Sequence, residues 1–539
     1  MNSQWIMDAY QELDSLGELS PQTTDAFTDT WISDAQCMTL CVKLLRKNRT
    51  VNEDRLFQRL MAQYDFVRHC LCFAYPELLS PSHDAPTLPV LSALVRPNEL
   101  DLLKRLVLHL EIGHTCFSTF LHGFLNGNTP PSVVSLVLAL ICVEGLSDSD
   151  TAALTLAMTG TGLVFDARPF AERARTRIIR RYPTGGISEK VSLILPSLLA
   201  ASQERFPVMT STLVGRSLGH TGGTWDKLSV IPGFSFASPG DDMERLLQEC
   251  GVAMCTTGPR VCPADRELYL LRGETGTVAS KPLIVSSIAS KHLALPVHRI
   301  LFDVRFGAGA FVGPEREAVS IGDSLAQVCS NSGMAIDIKC YSNDQLTGSG
   351  VGNSVELCEA LVLMGSQGDD LFDGELLEVQ RQRVLDQATL LLHAEWPSVS
   401  APDTRDYLNS LIRDGAPLRA FHRLMMAHGV SCSNADRICA NPRSLLEGLE
   451  FREVSARLSG TIGVIDQVKL GNVVNFGFRE TPIAGEAGSN RGGAVLRKRV
   501  GSTVTKGETI CLALVPPSTL GQSSPEQAQE ALADCFVVK

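Results

Sequence analysis

Between residues 176 and 370, short β-rich stretches are repeatedly followed by glycine-rich turns and then by helical patterns, as in Ile300-Leu301-Phe302-Asp303-Val304 ahead of Gly307-Ala308-Gly309. This order leaves few folds open, because strands separated by helices specify an α/β sheet. The flanks read differently. Residues 1 to about 105 are helical segments broken by a Pro-rich stretch from Pro76 to Pro97, and 106–160 are again helical. Ser147, with Asp150 three residues later, marks a helix start before the apolar run 152–158. Residues 375–450 return to helical periodicity. From about 453 the chain is strand-like with regularly placed glycines, a small β-rich domain, and its last polar stretch, Ser518 to Glu530, reads as a surface helix.

Composition removes several function classes. The 539 residues carry 48 Lys plus Arg against 59 Asp plus Glu, a net charge of −11, and 44% are hydrophobic. That is a core-forming chain, not a nucleic-acid-coating one, since polymer binding draws on many basic contacts to phosphates. A small anion needs only one local basic pocket. The longest apolar run, Val133 to Val143, is about half of the roughly 20 residues a membrane span requires. Met1-Asn2-Ser3-Gln4-Trp5 lacks the basic and apolar regions of a secretory signal, so the expectation is a cytoplasmic protein without a membrane partner. The sixteen cysteines are then buried thiols; Cys37, Cys41, His69, Cys70 and Cys72 fit no standard zinc spacing, and no metal is expected there.

Three segments carry the polar chemistry. Tyr182-Pro183-Thr184-Gly185-Gly186-Ile187-Ser188-Glu189-Lys190 lies between a short strand at Ile178-Ile179 and a helical run from Val191 to Ala201, where backbone N–H groups can approach an anion. Gly215 to Leu228 combines glycine, hydroxyl and charge more densely. Finally, Arg272 precedes Ser287 and Lys291, which at a spacing of four share one helix face. Together these three side chains suit a planar ligand rich in carbonyl oxygens.

In this order and spacing the segments resemble the thymidine and pyrimidine-nucleoside phosphorylases. The family signature Ser-Gly-Arg-Gly-Leu-Gly-His-Thr-Gly-Gly-Thr-x-Asp-Lys-Leu-Glu is similar to Val214 to Ser229, and Ile231-Pro232-Gly233-Phe234, Pro263-Ala264-Asp265, Lys291-His292-Leu293-Ala294, Asp303-Val304-Arg305 and Val351-Gly352-Asn353 also match. The resemblance covers about 110 to 515. It implies an α/β fold in two lobes: a helical lobe (106–175, with 262–295 returning to it) and a large mixed α/β lobe (176–450 without that return). A small C-terminal α+β, barrel-sandwich-like domain (451–539) and an N-terminal helical extension of unknown role (1–105) complete the chain.

The resemblance also implies a pentosyltransferase that cleaves the N-glycosidic bond of a pyrimidine nucleoside or nucleotide with inorganic phosphate, giving free base and pentose 1-phosphate. No cofactor is implied beyond phosphate as co-substrate and a possible potassium ion, and the expected assembly is a homodimer. Arg272, Ser287 and Lys291 match the base-binding positions, with Arg272, Lys291 and Tyr182 as catalytic candidates. Arg181, Thr184, Ser192 and Thr224 match the phosphate positions. That half departs from the pattern: the family's Lys-His-Ser becomes Arg181-Tyr182-Pro183, and its Ser-Gly-Arg becomes Val214-Gly215-Arg216. Each lost donor to a charged ligand costs on the order of 1.5–3 kcal/mol, so phosphate affinity falls by roughly 10²–10⁴ unless another group compensates. The alternatives are a phosphate-independent hydrolase or base-exchange enzyme, and a silent pyrimidine-binding paralogue.

Two further expectations follow. Ser188, Thr347, Gly350 and Glu359 match a monovalent-cation site at which Lys190 stands in place of a threonine ligand, so its ammonium is expected to replace potassium by pairing with Glu359. The run Arg173, Arg175, Arg177, Arg180, Arg181 reads either as a solvated face or as a receiver for a nucleotide 5′-phosphate.

Overall fold

The computed structural model describes residues 9, 12, 19–20, 23, 32–45, 51–63, 95–217, 219–365, 369–478, 491–516 and 525–539. The chain divides into two compact units. The first comprises residues 1–164, 258–294 and 327–329, and the second 165–257, 295–326 and 330–539.

The first unit is helical. Its centre is the Pro131–Glu144 helix, in which every residue from Ser132 to Ile141 is buried, as a helix apolar on all sides must be. The Asp34–Leu45 helix packs directly against it, and the Gly113–Leu125, Asp148–Thr159, Pro263–Thr275 and Lys281–Ala294 helices complete the bundle. Ser147 caps the Asp148–Thr159 helix by accepting from Asp150 N at 3.1 Å, at the start read from the sequence. The described helices before residue 105 pack into this unit. Cys37, Met38, Leu40 and Leu103 share one apolar core with Phe117, Leu136 and Leu268, so the N-terminal helices are part of the helical unit. Cys37 and Cys41 face each other within that core, Sγ to Sγ 4.0 Å. His69, Cys70 and Cys72 lie outside the described residues, as do 76–94, and no metal-holding group occurs among the described ones.

The second unit is built on a parallel sheet of order β3-β2-β1-β4-β5, with β1 Arg177–Pro183, β2 Val208–Leu213, β3 Val252–Cys255, β4 Arg299–Phe306 and β5 Ala335–Ser342. The order reverses at β1, whose neighbours β2 and β4 run to opposite edges. In open α/β sheets the ligand crevice opens beyond the strand ends at such a reversal. The Val191–Ala201 helix follows β1, buried from Val191 through Ala200 against the Gly374–Glu395 and Ala416–Ala427 helices.

The larger C-terminal antiparallel sheet is joined to the α/β part by one edge strand. A short strand, β6 Gly350–Val351, pairs with β9 Gly493–Leu496 through Gly350↔Val495 and Val351↔Ala494. The C-terminal sheet, order β6-β9-β11-β7 with β7 Glu450–Ser455 and β11 Thr509–Val515, thus takes an edge from the α/β part. A second small sheet joins β8 Gly460–Ile465 to β10 Thr503–Val504 and β12 Phe536–Val538. The terminal helix runs Pro525–Ala533; residues 517–524 are outside the described set. Among the described residues no helix is long and apolar enough to cross a membrane.

Candidate active site

At the sheet reversal the ends of β1 and β4 lie in register, Pro183 opposite Asp303. Thr184 N donates to Asp303 O at 3.0 Å, and Thr184 Oγ1 accepts from Arg305 N at 2.9 Å, which ties the first glycine loop to β4. Arg181 does not face an open pocket. Its Nη1 lies 2.9 Å from Glu189 Oε1 and donates to Ser192 Oγ at 2.7 Å, and its Nη2 donates to Asp303. Ser192 in turn donates to Glu189 Oε2 at 2.7 Å, and Arg305 Nε donates to Asp303 at 3.0 Å. Two arginines and two carboxylates therefore form one buried, mutually neutralising cluster. The remaining Arg181 Nε has no partner among the described residues, but it is itself buried.

Arg181 and Ser192, the expected phosphate residues, are thus paired within the chain. Both are phosphate candidates by sequence, and both turn their polar atoms onto internal carboxylates. Tyr182 is half-buried, and strand alternation sends it to the face opposite Arg181, away from this cluster.

The cluster sets a pH dependence. Burial alone would raise the Glu189 carboxyl, but Arg181, Arg305 and Lys227 outweigh it and bring it to about 2 from an ordinary 4.5. Asp303 is lowered too: burial opposes, and Arg305 and Arg181 prevail. A carboxylate depressed in the folded state stabilises fully above its unfolded pKa and loses that contribution as pH falls through the folded value. Glu189 alone contributes about 3 kcal/mol on this basis. The midpoint of urea unfolding is expected to drop between pH 4.5 and 2, with a shallower drop in Glu189→Gln, which starts from lower stability at neutral pH.

The second glycine loop follows β2. Asp226 Oδ2 accepts from Ser217 N at 2.5 Å and Gly223 N at 3.1 Å, and Trp225 N donates to Gly215 O at 3.1 Å, folding the loop back on itself. A Cβ on Gly223 would lie 2.2 Å from Gly215 O, so only glycine permits this closure. Thr224 opens the short Thr224–Leu228 helix, and its hydroxyl makes no hydrogen bond among the described residues. Lys227 is buried, 2.7 Å from Glu356 Oε2, and donates to Glu189 O at 2.6 Å, so it links the two loops. Val214 is buried and offers no hydroxyl.

Lys190 closes a third group. Its Nζ donates to Ser188 Oγ at 2.6 Å and Thr347 O at 2.8 Å and lies 2.6 Å from Glu359 Oε2. Three ammonium protons meet three acceptors, all buried. Ser188 holds a left-handed φ of 60°, at a cost of about 1 kcal/mol, and its hydroxyl lies 3.1 Å from both Thr347 O and Gly350 O. Glu359 also accepts from Ser349 N at 2.7 Å and Gly350 N at 2.9 Å. Gly348 is required here, since a Cβ would come within 2.6 Å of Lys190 Nζ.

The arginine run separates. Arg173 and Arg175 are exposed; Arg177 Nε lies 2.5 Å from Glu395. Arg180 is buried on Ser211 O at 2.5 Å and Leu295 O at 2.8 Å, and desolvation lowers it to about 10. With Arg181 also engaged, the run is not a continuous solvated face: Arg173 and Arg175 are exposed, while Arg177, Arg180 and Arg181 are paired within the chain.

In the first unit, Lys291 Nζ donates to Ser287 Oγ at 3.0 Å and Asp265 Oδ2 at 2.6 Å. Asp265 comes from the first turn of the Pro263–Thr275 helix, and Ser287 and Lys291 from one face of Lys281–Ala294. Arg272, buried near the end of the former helix, donates from Nε to Thr277 O at 3.2 Å, from Nη1 to Leu283 O at 3.1 Å and from Nη2 to Val278 O at 2.8 Å. These bonds clamp the turn between the two helices and leave one hydrogen on each terminal nitrogen. Desolvation lowers the Arg272 pKa, and nearby Asp265 partly offsets this.

Residues 176–415 match the model of the glycosyl transferase family a/b domain. A Bacillus subtilis pyrimidine-nucleoside phosphorylase is 30% identical over 393 residues, covering 72% of this chain and 86% of the relative. Human thymidine phosphorylase is 31% identical over 390 residues, 71% of this chain and 76% of the relative. The chain belongs to the thymidine and pyrimidine-nucleoside phosphorylase family. An anthranilate phosphoribosyltransferase of Thermus thermophilus superposes with a TM-score of 0.46 at 13% identity, over 61% of this chain and 99% of that one.

Within this phosphorylase-family chain, sequence reading of single positions missed Asp265, although Pro263-Ala264-Asp265 is one of the quoted matches. A proline followed by a carboxylate in a first helical turn reads as a helix start, and nothing local reveals that the carboxylate reaches Lys291. Glu189, Asp303 and Arg305 were missed as a charge cluster because Arg181 and Asp303 are 122 residues apart.

Proposed function

We propose that this enzyme transfers the pentosyl group of a pyrimidine nucleoside from the base to inorganic phosphate, releasing free base and pentose 1-phosphate. The observation that carries this reading is the grouping of Ser287, Lys291 and Asp265 beside Arg272 within one unit. As the glycosidic bond breaks, negative charge grows on the base oxygens, and preorganised donors stabilise it as it forms. Lys291 and Ser287 supply such donors, Arg272 has one hydrogen left on each terminal nitrogen, and Asp265 orients the ammonium. On this reading the substrate is the nucleoside and not its monophosphate, since Arg177, Arg180 and Arg181 are all engaged internally.

Thr184 and Thr224, on the two glycine loops, stand at the phosphate end. Lys190 supplies the charge of the monovalent cation, so no potassium is needed. A homodimer through the helical unit belongs to the same reading, supported by the exposed apolar side chains Leu108, Leu110 and Leu156.

Uridine, thymidine and cytidine, with and without phosphate, test the function. Base release proportional to phosphate is the expected result. Release indifferent to phosphate identifies a hydrolase, which the buried pairing of Arg181 would favour. Uracil binding without turnover identifies a silent paralogue.

A further inference from the structure

A phosphate acceptor needs a cation, and the cations nearest the two glycine loops are almost all occupied. Arg181 and Arg305 are paired with Glu189 and Asp303, Lys227 with Glu356, and Lys190 with Glu359. Arg216 differs. Its guanidinium lies over the Trp225 ring, 4.0 Å from the centroid, and makes no ion pair or hydrogen bond among the described residues. The side chain is exposed on the second loop. Asp226 is near enough to feel its charge, but Asp226 Oδ2 accepts from the N–H groups of Ser217 and Gly223.

The platform beneath Arg216 is a packed aromatic cluster. Trp225 stacks on Phe236 with centroids 5.4 Å apart and planes inclined at 23°, and Phe236 contacts Phe234 at 5.1 Å. Trp225 N bonds Gly215 O, which sets the backbone of Arg216 beside that of Thr224. A guanidinium seated over an indole can offer the N–H groups on its open side to a tetrahedral oxyanion as two parallel hydrogen bonds.

We propose that Arg216, seated on Trp225, is the residue that binds inorganic phosphate in this chain, in place of the charge that Arg181 has turned inward. The inference rests on the reading of phosphate as acceptor, and its test separates the two. The shared chemistry, a phosphate dianion, also occurs in nucleoside 5′-monophosphates, so both are titrated.

Isothermal titration of the full-length protein with inorganic phosphate, and separately with uridine 5′-monophosphate, is compared among wild type, Arg216→Gln, Arg216→Lys and Trp225→Leu. Arg216→Gln is expected to weaken inorganic phosphate by about 10- to 100-fold, Trp225→Leu by a smaller factor, and Arg216→Lys to retain part of the affinity. In turnover, Arg216→Gln raises KM for phosphate with KM for the nucleoside unchanged. Unaltered phosphate binding in Arg216→Gln, an absence of phosphate binding in wild type, or a loss confined to the monophosphate would overturn the proposal. Loss of phosphate binding in Arg216→Gln sustains the assignment even where wild type releases base without phosphate, an outcome that refutes only the acceptor reading.

Discussion

Lys190→Met is expected to lower the unfolding free energy by about 3–5 kcal/mol, the typical cost of removing one partner from a buried ion pair. The mechanism is specific to Glu359. Its carboxylate is fully buried and would keep only the Ser349 and Gly350 donors, which carry dipoles but no compensating charge. Ser188 Oγ, in the loop that leads from β1 into the Val191–Ala201 helix, and Thr347 O would lose the ammonium as a donor at the same time. Denaturant titration measures the loss. The double variant Lys190→Met with Glu359→Met should recover much of it, because two apolar groups leave no orphaned charge. A second arm reads the ammonium as a built-in cation. Wild-type turnover should be equal in potassium and lithium salts, whereas Lys190→Thr should be restored by potassium and not by lithium. A potassium requirement in the wild type would refute this reading.

The sequence was most readable where one element answers to its own residues. Ile178-Ile179 anchors β1, Val191 to Ala201 is one helix within its expected bounds, and Ser147 caps where its hydroxyl and Asp150 predict. Local pattern determines such features because hydrophobic periodicity and capping act within a few residues. Partnership is another matter. Arg181 has the charge that an anion site wants, and only the fold shows that Glu189 and Asp303 claim it first. Arg177 and Arg180 carry the same residue type three positions apart, yet one reaches Glu395 and the other buries itself on carbonyls. The packing of the N-terminal helices was hidden for a related reason. Leu40 and Leu136 read as separate amphipathic or apolar helices, and their common core is a contact between distant segments that composition does not encode.

In the base half, the decisive experiment is Lys291→Met, for which we expect kcat and kcat/KM for pyrimidine-nucleoside phosphorolysis to fall together by about 10³, with KM for the nucleoside nearly constant. Loss of one oxyanion-type donor costs about 10²–10³ in kcat, and removing its full charge places this variant at the upper end of that range. Equal loss in both parameters is the mark of an interaction made only in the transition state, and it follows from the geometry. In the resting protein the ammonium already bonds Asp265 at 2.6 Å and Ser287 at 3.0 Å, so a neutral base adds little to it. Only when the departing base becomes anionic does a stronger acceptor compete with Ser287 for a proton of Lys291. Asp265→Asn should therefore act through Lys291, lowering kcat by about tenfold as the ammonium loses its orienting charge. A rise in KM with kcat intact in Lys291→Met would instead assign the lysine to ground-state binding and move the transition-state role to Arg272, whose two spare hydrogens are the other donors beside this carboxylate.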